Sequence, residues 1–206
     1  MQRLFRALDR RCELKVYIVR HGETEKNKEK VLQGRSNSPL NEAGREQSRK
    51  VRDWFVENGV RFDRVYSSPL SRAVETAKII AGEEAEIIAD ERLLEMDYGP
   101  YEGSSLTNPL PEIIEFFSDF VNNPAPEGME SLSEIVSRLG SFMMEIASDS
   151  DECVLLATHA IAMKGAIEYL TPDSNGKYWS IYFPNCVVYE TEFSNGKYSV
   201  PVQVEI

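Results

Sequence analysis

A five-residue run, Arg-His-Gly-Glu-Thr at positions 20–24, carries residue types that could process an anionic substrate. Arginine grips an anion through parallel hydrogen bonds, and histidine can act as a nucleophile near neutral pH. Gly22 permits a sharp turn and a close approach of the backbone to a ligand. Because five consecutive residues are far more specific than a lone Arg-His pair, the run indicates a site centred on Arg20 and His21.

A second histidine and a second arginine extend this set. The chain has only two histidines, His21 and His159, and each follows a predicted strand directly. Arg72 lies in the predicted first turn of a helix, where free amides and the helix dipole already favour an anion. Arginine does not ligate metals, and the chain offers no third imidazole and no paired cysteines. The set therefore suits phosphate chemistry better than a metal site.

Glu95 is a candidate general acid. It stands between large apolar residues in the segment Leu93-Leu94-Glu95-Met96. Partial removal from water favours the protonated form of a carboxyl group, which suits proton donation to a leaving group.

Predicted strands position these residues. Apolar runs at 16–19, 64–67 and 153–157 read as buried strands, and 86–89 as an edge strand. Ligands of open α/β sheets bind beyond the carboxyl ends of the strands. We therefore expect His21, Arg72 and His159 to converge at one edge of a sheet.

Helices alternate with these strands. Asn41 is a predicted N-cap, Asn58-Gly59 a helix stop, and Ser131 with Glu134 a capping box. Further helices are predicted from Ser68-Pro69 to Gly82, over 112–121, and after His159 to about Leu170. We also expect a polar loop over 25–30 and a C-terminal hairpin turning at Asn195-Gly196.

Composition limits the function classes. The 206 residues suggest one domain over 14–206, and a net charge of −11 argues against a general binder of nucleic acid or anionic membrane. No segment approaches the length of a membrane span, and the first residues lack the apolar core of a signal peptide. Three cysteines without metal-ligand spacing suit a reducing compartment, so we expect free thiols and a cytoplasmic location.

Residues 1–13 form an N-terminal extension with a short amphipathic pattern of arginines around Leu4, Phe5 and Leu8. It could be a docking helix, a partner-binding arm or an upstream extension from a misassigned start codon. The sequence leaves these alternatives open, and it leaves the oligomeric state open too.

The motifs resemble those of the histidine phosphatase superfamily, the phosphoglycerate mutase-like proteins, from about Leu14 to the C-terminus. The matching pieces, in family order, are Arg20 to Thr24 with Asn27, Gln33-Gly34, Ser38-Pro39-Leu40-Asn41 with Gly44, Ser67 to Ala73 with Glu75-Thr76-Ala77, Glu95 with Gly99, and Thr158-His159. Two positions depart from the pattern: Ala160, where many relatives have glycine, and Asn37, where aspartate is frequent.

The resemblance implies a fold and a chemistry. The fold is α/β, a three-layer α/β/α sandwich with a mostly parallel central sheet, and a lid or specificity insert lies at about 100–130. His21 would be phosphorylated while Glu95 protonates the departing alkoxide and then activates water. No metal or nucleotide cofactor is implied.

The resemblance also assigns the binding residues. Arg20, Arg72 and a protonated His159, assisted by Asn27, would hold the phosphoryl group. Substrate contacts are expected from the positions Gln33, Gly34 and Ala160.

Members of this family are phosphatases or mutases, and the short insert and the run Pro126 to Ser131 favour hydrolysis. The expected activity is hydrolysis of a small phosphorylated metabolite. The alternatives are a cofactor-dependent phosphoglycerate mutase and a non-catalytic phosphate-binding protein. Sugar phosphates, phosphoglycerates, phosphoserine, α-ribazole phosphate and other monoesters all remain open as substrates.

Overall fold

A computed structural model describes residues 13–149 and 151–206, so the predicted N-terminal extension lies almost wholly outside the described residues. The described chain forms one seven-stranded sheet flanked by helices. The strands are β1 (Leu14–Arg20), β2 (Arg64–Ser67), β3 (Ile87–Ala89), β4 (Cys153–Thr158), β5 (Val188–Ser194), β6 (Lys197–Tyr198) and β7 (Val202–Gln203).

The sheet has a parallel half and an antiparallel half. Its order is β3-β2-β4-β1-β5-β6, with β7 also pairing β5. The first four strands are parallel, whereas β5 runs antiparallel to β1, β6 and β7. The carboxyl ends of β2, β4 and β1 therefore lie side by side, as the sequence predicts for the site.

Six helices connect or cover the strands in the described residues. They are α1 (Glu25–Lys28), α2 (Glu42–Glu57), α3 (Ser71–Ala81), α4 (Pro111–Ser118), α5 (Leu132–Ile146) and α6 (Ala160–Leu170). Asn41 caps α2 by accepting from the Gly44 amide, and Ser131 forms a capping box with Glu134 at α5, both as predicted. None of the described helices is long and apolar enough to cross a membrane.

Alternation along β1 produces the three layers. Val16 and Ile18 pack against α5 and α6 on one face of the sheet, whereas Tyr17 and Val19 pack against α2 and α3 on the other. All four side chains are buried. A strand covered on both faces is continuously apolar, as residues 16–19 of β1 are. The predicted three-layer α/β/α sandwich is confirmed.

Two local predictions differ from the structure. Residues 25–28, predicted as a polar loop, form the one-turn helix α1, because the Thr24 hydroxyl accepts from the Asn27 amide and the Asn27 side chain accepts from the Thr24 amide. The second arm of the C-terminal hairpin is interrupted, since β6 and β7 are separated by residues 199–201.

The insert between the Glu95 segment and α5 contains α4. Ile113 and Phe116 of α4 are buried in the core cluster shared with α5 and α6, and Phe120 packs against that cluster. The insert is therefore anchored in the core through its apolar side chains.

Candidate active site

His21 emerges at the carboxyl end of β1 as a buried, oriented imidazole. Its Nδ1 lies 2.7 Å from the Gly22 carbonyl oxygen, and because a carbonyl only accepts, Nδ1 carries the proton and donates. Nε2 therefore keeps its lone pair. Burial, then the charges of Arg72 and Arg20, lower the pKa of His21 well below 6.5, so the ring is neutral at neutral pH.

Arg72 is fully buried in the first turn of α3 and is fixed on three sides. Nη1 donates to the Ser36 carbonyl at 2.8 Å, and Nη2 donates to the Gly34 carbonyl at 2.6 Å. Nε lies 3.2 Å from both His21 Nε2 and His159 Nδ1. Burial lowers its pKa to about 10, which leaves the guanidinium charged at neutral pH.

His159 lies at the N-cap position of α6, and its imidazole points to other groups of the site. Nδ1 accepts from Arg72, so Nε2 carries the proton and donates to the Ser68 hydroxyl at 2.8 Å. Burial and the charge of Arg72 lower the pKa of His159 well below its usual value. The free protein thus favours a neutral His159, whereas the protonated His159 that the resemblance implies belongs to the state with a bound phosphoryl group. A bound dianion would reverse this preference, because its negative charge stabilises the imidazolium.

Arg20 brings a second guanidinium to the site. Nη1 donates to the Phe183 carbonyl, whereas its buried Nε has no hydrogen-bond partner. Buried donors are almost always paired, and an unpaired one beside a reactive histidine can serve a ligand.

Asn27 is placed by a small network. Its Oδ1 accepts from the Thr24 amide and from Asn185 Nδ2, both at 3.2 Å. Asn185 Nδ2 also lies 3.0 Å from the His21 carbonyl, which ties this network to the end of β1. The acceptor of Asn27 is thereby used, and its Nδ2 is the group that can donate to an anion.

Glu95 is buried, as predicted, and its carboxylate faces the N-terminus of α6. Oε1 accepts from the amides of Met96 at 2.9 Å, Ile161 at 3.1 Å and Ala162 at 3.0 Å. Oε2 has only a longer contact, 3.3 Å, to the Ile161 amide. Oε2 is therefore the oxygen with capacity for a proton.

The segment before Glu95 is held from two sides. Arg138 of α5 donates to the carbonyls of Arg92 and Leu94 at 2.6 and 2.7 Å. The Thr158 hydroxyl donates to the Leu93 carbonyl at 2.7 Å. These bonds fix the backbone that aims Glu95.

The loop carrying Gln33 and Gly34 closes over Arg72. The Gly34 amide donates to Glu102 Oε2 at 2.9 Å, and a Cβ at Gly34 would lie 2.5 Å from the Met96 carbonyl oxygen. Gln33 accepts from the Thr24 hydroxyl at 2.8 Å, and its buried Nε2 has no partner. Gly34 is thus needed for packing and for holding Arg72, and Gln33 offers a free donor.

Ala160 begins α6 without strain. It does not have a positive φ, so the alanine in place of the glycine common in the family is accommodated.

Two glycines let the turn after β1 pack on α2. A Cβ at Gly22 would lie 2.4 Å from the Gly44 carbonyl oxygen, and one at Gly44 would lie 2.2 Å from the Glu23 carbonyl oxygen. The Gly22 amide also donates to the Thr76 hydroxyl at 3.0 Å, which links this turn to α3.

Three further residues at the site were not among the sequence-predicted ones. Ser68 follows β2 directly, a position that the strand-end argument could have identified. Lys164 interrupts the apolar stretch 160–167 of α6, and this interruption could have been recognised in the sequence. Asn185 lies in an irregular loop, and no sequence signal marks it.

A large apolar cavity elsewhere in the described residues does not contain these groups. An apolar groove of about 1170 Å³ runs between the insert and helices α5 and α6, lined by residues such as Phe120, Leu132 and Tyr169. None of the predicted site residues lines it. The site is therefore defined by its charged groups and not by cavity size.

Comparisons with known proteins agree with this geometry. A sequence model of the histidine phosphatase superfamily, branch 1, matches residues 16–204. A Hydrogenobacter thermophilus protein provisionally named phosphoserine phosphatase 2 is 30% identical over 187 residues, which are 89% of this chain and 91% of that protein.

The crystal structure of Entamoeba histolytica phosphoserine phosphatase in complex with 3-phosphoglyceric acid has the same fold. It gives a TM-score of 0.76 at 26% identity and covers 93% of this chain and 95% of that one. The Arabidopsis thaliana phosphoglycerate mutase-like protein 4 is 40% identical over 90 residues, only 43% of this chain and 39% of that protein. The family match spans nearly the whole described chain, and the chain belongs to branch 1 of the histidine phosphatase superfamily as a phosphatase enzyme.

Proposed function

We propose that this phosphatase hydrolyses small phosphomonoesters without a metal, through a phosphohistidine intermediate on Nε2 of His21. The observation that carries the proposal is the tautomer of His21. Its Nδ1–H donates a hydrogen bond to the Gly22 carbonyl, so Nε2 is unprotonated, and the lone pair of Nε2 faces Arg72 Nε at 3.2 Å. A neutral, oriented imidazole is the form that can attack phosphorus.

Four groups would bind the phosphoryl group. Arg20 and Arg72 balance its two negative charges, while His159 and Asn27 add hydrogen-bond donors. Arg72 is held by the carbonyls of Gly34 and Ser36, so its charge is in place before substrate arrives. Fixed positive charge of this kind is the main contribution of proteins to phosphoryl transfer.

Glu95 would transfer the protons. In the first step Nε2 of His21 bonds to phosphorus, the ester P–O bond breaks, and protonated Glu95 gives its proton to the leaving alkoxide. In the second step the oxygen of a water molecule attacks the phosphorus, the bond between phosphorus and His21 Nε2 breaks, and Glu95 takes the water proton. Inorganic phosphate leaves, and His21 and Glu95 return to their starting forms.

The phosphatase interpretation has support from the relatives, because a match over 89% of this chain is to a protein named as a phosphoserine phosphatase. The Arabidopsis thaliana mutase-like protein matches over less than half of either chain. Phosphoserine and phosphoglycerates are therefore the substrates to try first. Cys153 and Cys186 are free thiols, which fits our proposal that the protein acts in the cytoplasm.

A hydrolysis assay with excess EDTA tests the proposal. Phosphate release from phosphoserine, 3-phosphoglycerate and p-nitrophenyl phosphate is compared for the wild type and His21→Ala. We expect turnover that EDTA does not reduce and that His21→Ala abolishes, with an acid-labile phosphoenzyme in rapidly quenched wild-type samples. Interconversion of 2- and 3-phosphoglycerate without phosphate release would establish the mutase instead, and inactivity of a folded wild type would favour a binding protein.

A further inference from the structure

Lys164 is a buried ammonium that the proposed reaction does not use. It lies on α6, one turn beyond the amides that hold Glu95, and is only 8% exposed. Its Nζ donates to the Trp179 carbonyl at 2.7 Å. Two aromatic rings flank it, with centroids 5.5 Å away at Phe120 and 5.9 Å away at Phe183.

This cation forms no ion pair within the described residues, although the charge of Glu95 acts on it from a longer distance. Among the described residues no carboxylate oxygen lies within 4.0 Å of Nζ, and the Trp179 carbonyl uses one of its three N–H groups. A buried charge without a partner is costly, so such groups normally pair with a counter-charge. Two N–H groups of Lys164 are available for one.

Lys164 borders the phosphoryl site. Phe183, whose ring lies beside Nζ, is also the residue whose carbonyl binds Arg20. Side chains on a helix lean toward its N-terminus, which here directs the lysine toward Glu95. The charges of Glu95 and Arg20 both act on Lys164, and burial lowers its pKa to about 8. A group bound at Nζ would therefore belong to the same substrate.

The charges of the site indicate which kind of chemical group Lys164 would bind. Arg20 and Arg72 match the two negative charges of a phosphoryl group. Glu95 accepts hydrogen bonds from backbone amides and serves the proposed proton transfer, so we do not count it as the counter-charge of Lys164. Lys164 adds one positive charge, which matches a monoanion better than a second phosphate. We propose that Lys164 binds a carboxylate of the substrate, which makes phosphorylated hydroxy acids the preferred substrate class. This inference rests on the proposed function.

Matched substrate pairs test it. Phosphoserine is compared with phosphoethanolamine, and 3-phosphoglycerate with glycerol 3-phosphate, because each pair differs by the carboxylate. We expect the wild type to prefer the carboxylated member in kcat/KM. Lys164→Met should reduce that preference about ten- to a hundredfold, and Lys164→Arg should retain most of it. Lys177→Met, at an exposed lysine of the neighbouring turn, is the control and should change nothing.

Three other results of these assays would overturn the proposal. A Lys164→Met enzyme with an unchanged preference would show that Lys164 only holds the Trp179 turn. If that variant does not fold, the wild-type measurements still test the proposal. Equal kcat/KM for the two members of each substrate pair would overturn it. A lysine-dependent preference for fructose 1,6-bisphosphate over fructose 6-phosphate would also overturn it.

Binding separates this inference from the proposed function. Calorimetry with His21→Ala compares the affinities of phosphoserine and phosphoethanolamine without any turnover. Tighter binding of phosphoserine there, by a protein whose wild type hydrolyses nothing, would support the carboxylate site while rejecting the phosphatase chemistry. Hydrolysis by the wild type together with equal affinities of His21→Ala for the two ligands would support the phosphatase chemistry and reject the carboxylate site.

Discussion

Arg72 approaches His21 with its Nε 3.2 Å from the imidazole Nε2, and both side chains are buried. A cation at this distance opposes protonation of the ring, so the nucleophile stays neutral below the pH at which an exposed histidine would be charged. Arg72 thereby has two effects on His21: it keeps Nε2 unprotonated, and it supplies positive charge where the phosphoryl group would bind.

We expect neither histidine to titrate near the usual pKa of about 6.5. The chain has only two, so two Cε1 proton resonances report both residues directly. Both should stay at the neutral shift from about pH 8 to pH 6 because burial and Arg72 disfavour the charged rings. Saturating vanadate should raise the pKa of His159. A resonance that titrates normally without ligand would contradict the neutral site.

The same depressed pKa values predict acid sensitivity. Below about pH 6.5 the unfolded chain protonates both histidines while the folded chain keeps them neutral, so the free energy of unfolding falls as pH decreases. Each histidine contributes a slope of up to about 1.4 kcal/mol per pH unit until its folded pKa is reached. Denaturant unfolding of wild type and His159→Gln at pH 7 and pH 5.5 should show the larger loss in the wild type. An equal decrease in the free energy of unfolding for both proteins would contradict a depressed pKa of His159.

Arg72→Lys should lose activity although it keeps the charge. Lysine cannot reach the carbonyls of Gly34 and Ser36 while also facing the histidines, so the cation is no longer fixed. We expect kcat/KM to fall about 100- to 1000-fold. Arg49→Lys, at a surface arginine paired with Glu42 and Glu46, is the matched control and should behave as wild type.

Glu95→Gln should separate the two chemical steps. With p-nitrophenyl phosphate the leaving group needs no proton, so the variant should release one equivalent of nitrophenol quickly and then turn over slowly. With phosphoserine both steps need Glu95, and we expect a loss of about 100- to 10,000-fold with no burst. Stopped-flow absorbance measures the burst, and Glu91→Gln on the same segment is the control. Steady turnover at the wild-type rate would remove Glu95 from the mechanism.

Gly34→Ala should damage both stability and activity. Its Cβ would lie 2.5 Å from the Met96 carbonyl oxygen and 2.7 Å from a ring carbon of Tyr98. Moving this loop also moves a carbonyl that holds Arg72. We expect a loss of about 1–3 kcal/mol in the free energy of unfolding and a clear fall in kcat.

Gly59→Ala is the comparison variant. Gly59 has a positive φ but open space around it, so alanine there costs only about 1 kcal/mol of backbone strain and leaves kcat intact. Equal activities in the two variants would mean that Gly34 does not help to position Arg72.

The carboxylate site predicts a pH effect on KM. Lys164 has a pKa of about 8 in the free protein, and a bound carboxylate favours its charged form. Above about pH 8 binding must then take up a proton, so KM for 3-phosphoglycerate should rise by up to tenfold per pH unit. KM for glycerol 3-phosphate should stay nearly constant over the same range. Parallel curves for the two substrates would contradict a role for Lys164 in binding.

The sequence predicted most of the sheet and much of the site, for a physical reason. The runs before His21 and His159 are apolar on both faces, which is typical of buried parallel strands, and their carboxyl ends must meet at one edge. The sequence could not place Asn185, because its position depends on how a loop packs against the end of β1. It also could not give the protonation state of His159, which depends on Arg72, a residue far away in the sequence but in contact with His159 in the fold.

The same contrast holds for α1 and for Lys164. The one-turn helix at 25–28 is too short to show a periodic pattern, and only its Thr24–Asn27 capping box stabilises it. Lys164 was visible as a charge in an apolar helix, but its meaning depends on Trp179 and Phe183, which come later in the chain and touch it only in the folded state.

The central position of β1 also has a consequence for folding. Its two neighbours, β4 and β5, begin only at Cys153 and Val188, so the strand that precedes His21 can pair only after more than a hundred further residues have been made. Such non-local pairing slows folding and leaves apolar segments exposed meanwhile. During synthesis the nucleophile is made well before β4 and β5, which fix the strand that carries it, so a nascent chain should gain activity only after β5 has left the ribosome.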